Sequence, residues 1–390
     1  MEQTIAGSLT SAADFTVGVE EEYQLVDPES GALRSRASDL RREDWTGELV
    51  PELQETTVEI ATPVCSGIAE VEEQLGRLRL QAATVASAQG LAIVAAGVHP
   101  FSSWEGHERQ PLERYRRIEA RYGRIARDEH IFGMHVHIGV PPDTDRLPLM
   151  NILRHFLPHL LALSASSSFF EGADTGFASY RTILWRRWPN SGIPPRFETE
   201  TDFALYVDTL LDAGVMADPW NLYWSMRPHP EYPTVEFRVM DVCPNLRDAT
   251  ALTAFARALV HAAATGVITD DAPRHVPLTM EQELLRVNEW RVARDGLDGR
   301  LIDTISGTGH VPVRDAIHSL LDRISRSAEQ LGDTDALAHI ERIVERGNAA
   351  ERMRTRHREG ATLRELVAWL ARESLLGTGL DRRSASRNSG

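Results

Sequence analysis

The stretch TVGVEEEYQLVDP, residues 16–28, places three consecutive glutamates between two β-prone, largely apolar segments. Like charges repel each other, so a strand that passes through a core is an unfavourable place for three of them. Successive side chains of a strand point to opposite faces, which puts Glu20 and Glu22 on one face and Glu21 on the other. The stretch therefore predicts a strand whose carboxylate face holds something positively charged.

Three later segments with strand-like composition repeat this division into an apolar and an ionisable face: residues 52–63, 133–140 and 234–244. By the same alternation, the ionisable faces carry Glu55, Thr57 and Glu59 in the first segment, His135 and His137 in the second, and Glu236 and Arg238 in the third. Taken singly, the glutamates fit a solvated sheet surface and the histidines fit a structural pair. Taken together, carboxylates, imidazoles and one arginine are the residue types of a metal and phosphate site.

Converging carboxylates with no cation between them would have to take up protons, and their pKa values would rise. A divalent ion removes this cost, and the oxygen ligands suit Mg²⁺ or Mn²⁺. A histidine among them favours Mn²⁺, or Mg²⁺ at a relaxed site. Arg238 would then lie beside the metal ions, where the charge of a transferred phosphoryl group develops.

The chain contains no lysine, and all 42 basic side chains other than histidine are arginines. This absence excludes a P-loop lysine, a Schiff-base lysine and a kinase-type lysine on the third strand. A GC-rich genome would account for the replacement of lysine by arginine, and the exclusions hold in either case. If the protein handles a nucleotide, metal ions and arginines must hold its phosphates.

The net charge of −15 and the pI of about 5.4 disfavour nucleic acid and anionic membranes as partners and leave small-molecule substrates. The two cysteines, Cys65 and Cys243, cannot form a disulfide framework or a thiolate zinc site. Residues 1–14 lack a signal peptide's basic and apolar regions, and no apolar run is long enough to span a membrane. We therefore expect a cytoplasmic protein.

The strands do not alternate regularly with helices, which favours an α+β fold with an antiparallel sheet over a doubly wound parallel sheet. Helical periodicity predicts helices over residues 111–128 and 147–170, and a mostly helical portion from residue 246 to about 375. We expect three regions: a flexible N-terminal arm at 1–14, a single catalytic domain at 15–375 and a disordered tail at 376–390.

These segments resemble a known family, the carboxylate–amine ligases of the glutamate–cysteine ligase type 2 group. The resemblance rests on the stretches at residues 18–28, 59–63, 133–140, 181–197, 227–243 and 288–303. It implies a curved antiparallel β-sheet that carries the active site and is packed by helices, as in the glutamine synthetase and guanido kinase fold, with a helical C-terminal portion.

The resemblance also implies roles for individual residues. The positions that match metal ligands are Glu20, Glu22, Glu59, His135 and Glu236. Arg238 matches the catalytic arginine near the γ-phosphate, and Arg181 and Arg227 match residues that bind phosphate or a substrate carboxylate. His137 is a further candidate for substrate or ATP binding, since it shares the face of His135. Ser225 and His229 depart from the family pattern, which leaves the natural substrates open.

The implied reaction is ATP-dependent: a carboxylate, as in the γ-carboxylate of glutamate, is phosphorylated to an acyl phosphate, which an amine such as cysteine attacks to form an amide. We expect the proline-rich loop at 188–197 to act as a lid that excludes water. A metal-dependent amide hydrolase, suggested by the His-x-His pair, is one alternative, and a non-catalytic relative that binds ATP and metal is another. The expected oligomer is a homodimer.

Overall fold

The computed structural model describes residues 11–40, 49–110, 112–269, 276–304 and 309–378. Seven strands of these regions form the main sheet: β1 (Val17–Val26), β2 (Leu49–Pro51), β3 (Thr57–Ala61), β4 (Ala92–Val94), β5 (Gly133–Gly139), β8 (Met226–Pro228) and β9 (Thr234–Asp241). The short strands β6 (Phe169–Phe170) and β7 (Ala173–Asp174) pair with each other, as do β10 (Arg300–Ile302) and β11 (His310–Pro312).

The main sheet has the order β2-β3-β1-β5-β9-β8, and β4 pairs with the end of β1. Every pairing in it is antiparallel. The helices of the described residues are α1 (Ile68–Ala88), α2 (Glu113–Tyr122), α3 (Arg124–Arg127), α4 (Arg146–Leu153), α5 (Leu157–Ser164), α6 (Tyr180–Trp185), α7 (Glu200–Asp212), α8 (Leu246–Ala264), α9 (Leu278–Asp295), α10 (Val313–Leu331), α11 (Thr334–Arg346), α12 (Ala349–Arg358) and α13 (Leu363–Glu373).

One face of the sheet is apolar and is covered by helices. Helices α1 and α8 contact it, and α10 and α11 pack on α8. Nearly every residue of α8 is buried, so this helix forms the centre of the core. The buried side chains that the strands contribute include Val19 and Tyr23 from β1, Met134, Val136 and Ile138 from β5, and Val235 and Phe237 from β9. Because this face is closed by helices, the opposite, ionisable face is the one left to form a site.

The predicted α+β class, the antiparallel sheet and the helical C-terminal portion are confirmed. Two helices were predicted too long. The helix expected at 147–170 is divided into α4 and α5 and ends at Ser164, because Pro158 has no N–H to continue α4 and instead occupies the first turn of a new helix. The helix expected at 111–128 is interrupted at Gly123, which adopts a φ of 59°.

The predicted flexible arm and disordered tail fall mostly outside the described residues, at 1–10 and 379–390. The arm's described end contains a short 3₁₀ helix, Ala12–Asp14, and the backbone oxygen of Ala12 accepts a hydrogen bond from buried Arg257. None of the described helices combines the length and the apolar character that crossing a bilayer requires.

The buried histidine His99 should make the stability of the protein sensitive to acid. Its Nε2 donates to the backbone oxygen of Gly31 at 2.8 Å, and its Nδ1 accepts from the backbone nitrogens of Phe101 and Ser102. Burial lowers the pKa of His99 to about 4, because a protonated ring would be desolvated and would lose its Nδ1 acceptor. An unfolded histidine has a pKa of about 6.5, so the stabilisation is complete above that pH and is lost as the pH falls toward 4.

We expect this one group to account for about 3 kcal/mol of the loss of unfolding free energy between pH 6.5 and pH 4. The variant His99→Gln should therefore show a shallower decline of stability over this interval than the wild type, measured by urea denaturation at several pH values. The exposed His318 provides the control, since His318→Gln should keep the wild-type slope. Equal slopes for all three proteins would show that another group controls acid unfolding.

Candidate active site

The ionisable face of the sheet lines a cavity of about 300 Å³. The structure brings all nine side chains predicted from the sequence to this cavity: Glu20, Glu22, Glu59, His135, His137, Arg181, Arg227, Glu236 and Arg238. Their individual roles stay predictions, but their convergence is a property of the fold. Aromatic side chains form much of the remaining wall, namely Tyr115, Trp185, Trp188, Trp220 and Tyr223.

Strand register explains why residues far apart in the chain meet here. On β1, Glu22 lies opposite Glu59 of β3, and Glu20 lies opposite His135 of β5. One step further across the sheet, His137 lies opposite Glu236 of β9, and Glu236 lies opposite Arg227 of β8. Directly opposed residues of antiparallel strands have their Cβ atoms about 5 Å apart. The ionisable residues therefore form a continuous layer across five strands.

A cluster of three carboxylates lies at the β1–β3 side of the cavity. Glu22, Glu52 and Glu59 each place an oxygen within 4.8 Å of the other two. Burial, reinforced by the charge of Glu52, raises the pKa of Glu22 to about 8 and also raises the pKa of Glu59 well above its usual range. Such shifts are expected where carboxylates converge without a cation between them. The cluster thus has the oxygen donors and the surplus negative charge that suit a divalent ion.

Glu52 was missed in the sequence, and Glu55 was placed on this face wrongly. Strand β3 begins only at Thr57, so alternation does not extend back to Glu55, whose carboxylate instead accepts a hydrogen bond from the backbone nitrogen of Ser38 at 2.8 Å. Glu52 reaches the site from the irregular segment that directly follows β2. Strand periodicity does not apply to a side chain in an irregular segment.

His135 is oriented by Glu20. Its Nδ1 lies 2.9 Å from Glu20 Oε2, and burial together with the charge of Arg238 lowers the pKa of His135 to about 4, so the ring is neutral at pH 7. A neutral ring that donates from Nδ1 keeps a lone pair on Nε2. This arrangement, in which a carboxylate fixes the tautomer of a histidine, is typical of metal-binding histidines. His137 Nε2 lies 3.3 Å from the other oxygen of Glu20.

Two arginines hold Glu236. Arg227 donates to both oxygens of Glu236, at 2.6 and 3.2 Å, and Arg238 donates to one of them. Although burial alone would raise the pKa of Glu236, Arg238 and Arg227 outweigh it and hold that pKa far below its usual range. The Nε atom of Arg238 has no hydrogen-bond partner among the described residues, which leaves this guanidinium with a free donor at the cavity.

Arg181 depends on a glycine. A Cβ at Gly133 would lie 2.4 Å from the Nη2 atom of Arg181, so no larger residue fits beneath the guanidinium. The Gly133 nitrogen also donates to Glu22 Oε2 at 2.6 Å. A glycine is therefore required at the start of β5, because only a residue without a side chain lets Arg181 approach the carboxylate cluster.

His229 also lines the cavity, beside His137 and Glu236. Its Nδ1 accepts hydrogen bonds from the backbone nitrogens of Glu231 and Tyr232, at 3.2 and 3.0 Å. With Nδ1 as an acceptor, the neutral ring carries its proton on Nε2, which is then a hydrogen-bond donor and not a metal ligand. His229 thus lies close enough to His137 and Glu236 for a metal site, but its protonated Nε2 does not supply a ligand there.

Glu21 points to the opposite face, as strand alternation predicts. There Arg79 of α1 holds Glu21 with bonds of 2.5 and 2.9 Å, and both side chains are completely buried. Helix α1 packs on β1, so its arginine reaches a carboxylate that the core would otherwise leave unpaired.

The other departure from the family pattern, Ser225, lies just outside the cavity. Its hydroxyl donates to Glu289 of α9 at 2.7 Å, and Glu289 also pairs with Arg186 in the segment after α6. The backbone nitrogen of Ser225 donates to Gly192 in the proline-rich loop, at 2.8 Å. Ser225 thus connects that loop to the helical layer.

Comparison with known proteins supports the family resemblance that was found in the sequence. The family model described as glutamate–cysteine ligase family 2 matches residues 16–368. A protein from Roseiflexus castenholzii that is provisionally named glutamate–cysteine ligase 2 is 37% identical over 366 residues, covering 93% of this chain and 95% of the relative.

Two solved structures share the fold at 14% sequence identity. A glutamate–cysteine ligase from Francisella tularensis in complex with AMP has a TM-score of 0.68, with 94% of this chain and 89% of that chain covered. A bifunctional glutathione synthetase from Pasteurella multocida has a TM-score of 0.66, covering 94% of this chain and 53% of that one. The family predicted from the sequence is confirmed, and this chain belongs to glutamate–cysteine ligase family 2, a family of ATP-dependent carboxylate–amine ligases.

Proposed function

We propose that the protein joins the γ-carboxylate of glutamate to the amine of cysteine or a related compound, with ATP converted to ADP and phosphate. The observation that carries this proposal is the layer of carboxylates and arginines across the sheet, with Glu22, Glu52 and Glu59 at one side and Arg227 and Arg238 at the other. Ligation through an acyl phosphate needs these two kinds of group, since phosphoryl transfer is catalysed mainly by positioning and charge neutralisation.

The residues of the cavity fit divalent metal ions, Mg²⁺ or Mn²⁺. The raised pKa values of Glu22 and Glu59 indicate uncompensated negative charge, and the lone pair of His135 is directed away from Glu20. We propose that Glu20, Glu22, Glu59, His135 and Glu236 hold the ions, together with Glu52. When bound, such ions neutralise phosphate oxygens. Arg227 and Arg238 already donate hydrogen bonds to the carboxylate of Glu236. Glu236 therefore also orients these two arginines.

The chain's own side chains perform the remaining tasks. Arg238, with its free Nε donor, binds the transferred phosphoryl group, while Arg181 and Arg227 hold phosphate or a substrate carboxylate. His229 and His137 contribute polar contacts at the β9 side of the cavity. We propose that residues 15–375 act as one catalytic domain and that the loop at 188–197 closes over the acyl phosphate to exclude water. Hydrogen bonds from Ser225 to Gly192 and from Arg154 to Pro194 anchor that loop.

The proposal is tested by ADP release with glutamate, Mg²⁺ or Mn²⁺, and a panel of amines that includes cysteine and hydroxylamine. Hydroxylamine should trap the acyl phosphate as a hydroxamate, and positional isotope exchange in ATP should detect the same intermediate. A metal-dependent hydrolase would need no ATP, and a non-catalytic relative would bind ATP without release of ADP. Turnover in EDTA equal to turnover with Mg²⁺ would refute the metal requirement.

The variants Glu20→Gln and Glu22→Gln should each abolish ligase activity or sharply raise the metal concentration that is needed. Glutamine keeps the shape of the side chain but removes the charge that a hard cation requires, and Glu20→Gln also changes the group that orients His135. Metal titrations of activity measure the effect, with Glu113→Gln on the exposed surface of α2 as the control. Activity of both variants at the wild-type metal concentration would remove these residues from the metal site.

A further inference from the structure

One buried carboxylate that lines the cavity, Glu129, has no role in the proposed reaction so far. Glu129 lies in the segment between α3 and β5, is 8% exposed, and lines the same cavity as the predicted site residues. Neither of its side-chain oxygens has a hydrogen-bond partner among the described residues. The nearest charged group, Arg187 Nη2, is 3.5 Å from Oε2 and is not aligned to donate.

Buried polar groups normally have partners, because desolvation without a compensating hydrogen bond is unfavourable, most of all for a charged group. Around Glu129 several donors also lack partners among the described residues: Trp188 Nε1, Arg187 Nη2 and Arg181 Nε. The charged and polar groups that face Glu129 are Arg187, Arg181 and the indole of Trp188. Arg187 pairs with Glu129 as an ion pair at 3.5 Å, but neither oxygen of Glu129 accepts a hydrogen bond from the described residues. Both oxygens can therefore still accept a hydrogen bond from a ligand bound in the cavity.

The negative charge of Glu129 limits the chemical class of ligand that can bind next to it. A carboxylate repels phosphate and substrate carboxylates, so Glu129 itself does not contact these groups, whereas the neighbouring Arg181 can. It is also not part of either group of potential metal ligands among the described residues, which are formed by Glu22, Glu52 and Glu59 and by His137, His229 and Glu236. A positively charged, hydrogen-bond-donating ligand remains, and an ammonium group has both properties. The aromatic wall formed by Trp185, Trp188 and Tyr223 suits a cation as well.

We propose that Glu129 binds the ammonium form of the amine substrate and takes its proton, so that the attacking nitrogen becomes nucleophilic. This inference rests on the proposed ligase function and names the form in which the second substrate enters. Burial raises the pKa of Glu129 to about 7, which matches a group that accepts a proton near neutral pH.

The step balances in protons and electrons. The ammonium transfers one proton to the Glu129 carboxylate, leaving a neutral amine and a carboxylic acid. The nitrogen lone pair then forms the C–N bond to the acyl carbon, and the C–O bond to phosphate breaks with its electron pair on the phosphate oxygen. The second nitrogen-bound proton leaves with the phosphate, which yields a neutral amide.

The test uses two nucleophiles with the full-length enzyme, ATP, glutamate and metal at pH 7.5. An alkyl amine is an ammonium ion at this pH and needs a proton acceptor, whereas hydroxylamine is largely neutral and does not. We expect Glu129→Gln to lower kcat/KM for the best alkyl amine of the panel about 10²–10⁴-fold, as for removal of a general base. Hydroxamate formation with hydroxylamine should stay within about threefold of wild type.

Two further measurements separate a chemical from a structural role. Glu129 accepts no hydrogen bond from the described residues and its ion pair with Arg187 is long, at 3.5 Å, so Glu129→Gln should melt close to the wild-type temperature. The control Glu119→Gln removes a carboxylate that pairs with Arg109 and Arg127 outside the cavity, and it should leave both reactions unchanged. Restored alkyl-amine activity in Glu129→Asp, even in part, would further support proton transfer.

The outcomes distinguish this inference from the ligase proposal. If the wild-type enzyme forms no hydroxamate with any carboxylate, the proposed function fails and the inference fails with it. If the wild type is active and Glu129→Gln loses both nucleophiles equally, or loses neither, Glu129 is not the proton acceptor and the inference alone is overturned. Selective loss of the alkyl amine supports it.

Discussion

Glu21→Gln is expected to lower the free energy of unfolding by about 3–5 kcal/mol, because it leaves the guanidinium of Arg79 as an unpaired charge in the core. Both side chains are completely buried, and the Tyr23 hydroxyl also donates to Glu21. The other hydrogen bonds of Arg79, to the backbone oxygens of Pro244, Cys243 and Ser374, satisfy its N–H groups but do not neutralise it. Urea denaturation measures the effect.

The matched control is Glu73→Gln on the exposed side of α1, which should change stability by no more than about 0.5 kcal/mol. At a temperature where Glu21→Gln remains folded, its metal requirement should equal that of the wild type, since Glu21 faces away from the cavity. This separates it from Glu20→Gln and Glu22→Gln, which should lose activity with little loss of stability. Wild-type stability of Glu21→Gln would mean that Arg79 is neutralised by another group.

Arg238→Lys is expected to lower kcat by about 10²-fold or more, as does the removal of other transition-state contacts. A guanidinium can hold Glu236 with one N–H and bind two phosphoryl oxygens in a fixed plane with others, whereas an ammonium is a single point charge. In the structure Arg238 Nη1 pairs with Glu236, while Nε has no hydrogen-bond partner among the described residues and is left to bind a phosphoryl oxygen.

The loss should appear mainly in kcat and less in KM for ATP, because the contact strengthens as charge develops on the phosphoryl group. Arg354→Lys serves as the control, since Arg354 pairs with Asp174 away from the cavity. Steady-state kinetics with glutamate and the best amine of the panel provide the measurement. Near-normal kcat in the Arg238→Lys variant would show that Arg238 only supports Glu236.

Much of the site could be predicted because strand alternation is a local rule. The side-chain period of two assigns Glu20, Glu22, His135 and Arg238 to one face wherever the strand begins or ends. Seven of the nine predicted residues reached the cavity in this way, whereas Arg181 of α6 and Arg227 of β8 were identified by the family resemblance. The absence of lysine also needed no structure, since it excludes whole classes of nucleotide site by composition alone.

Strand alternation gave wrong or missing assignments for residues that do not lie in a strand. Glu55 precedes β3, so it is not on the predicted face, while Glu52 enters the cavity from an irregular segment to which strand periodicity does not apply. Glu129 precedes β5, and His229 follows β8, so neither belongs to a strand pattern. Residues that loops and bends position depend on backbone dihedral angles that no short sequence pattern reveals.

By itself, the sequence determined the class of fold, the family and the face of each strand, because these follow from local alternation and from motifs within single segments. Only the tertiary structure decided which residues oppose each other across strands, such as Glu22 with Glu59 and His137 with Glu236. It also decided that Arg79 neutralises Glu21 and that the Glu129 oxygens accept no hydrogen bond from the described residues. These are contacts between segments distant in the chain, and their free energies depend on burial and register, which exist only after the chain has folded.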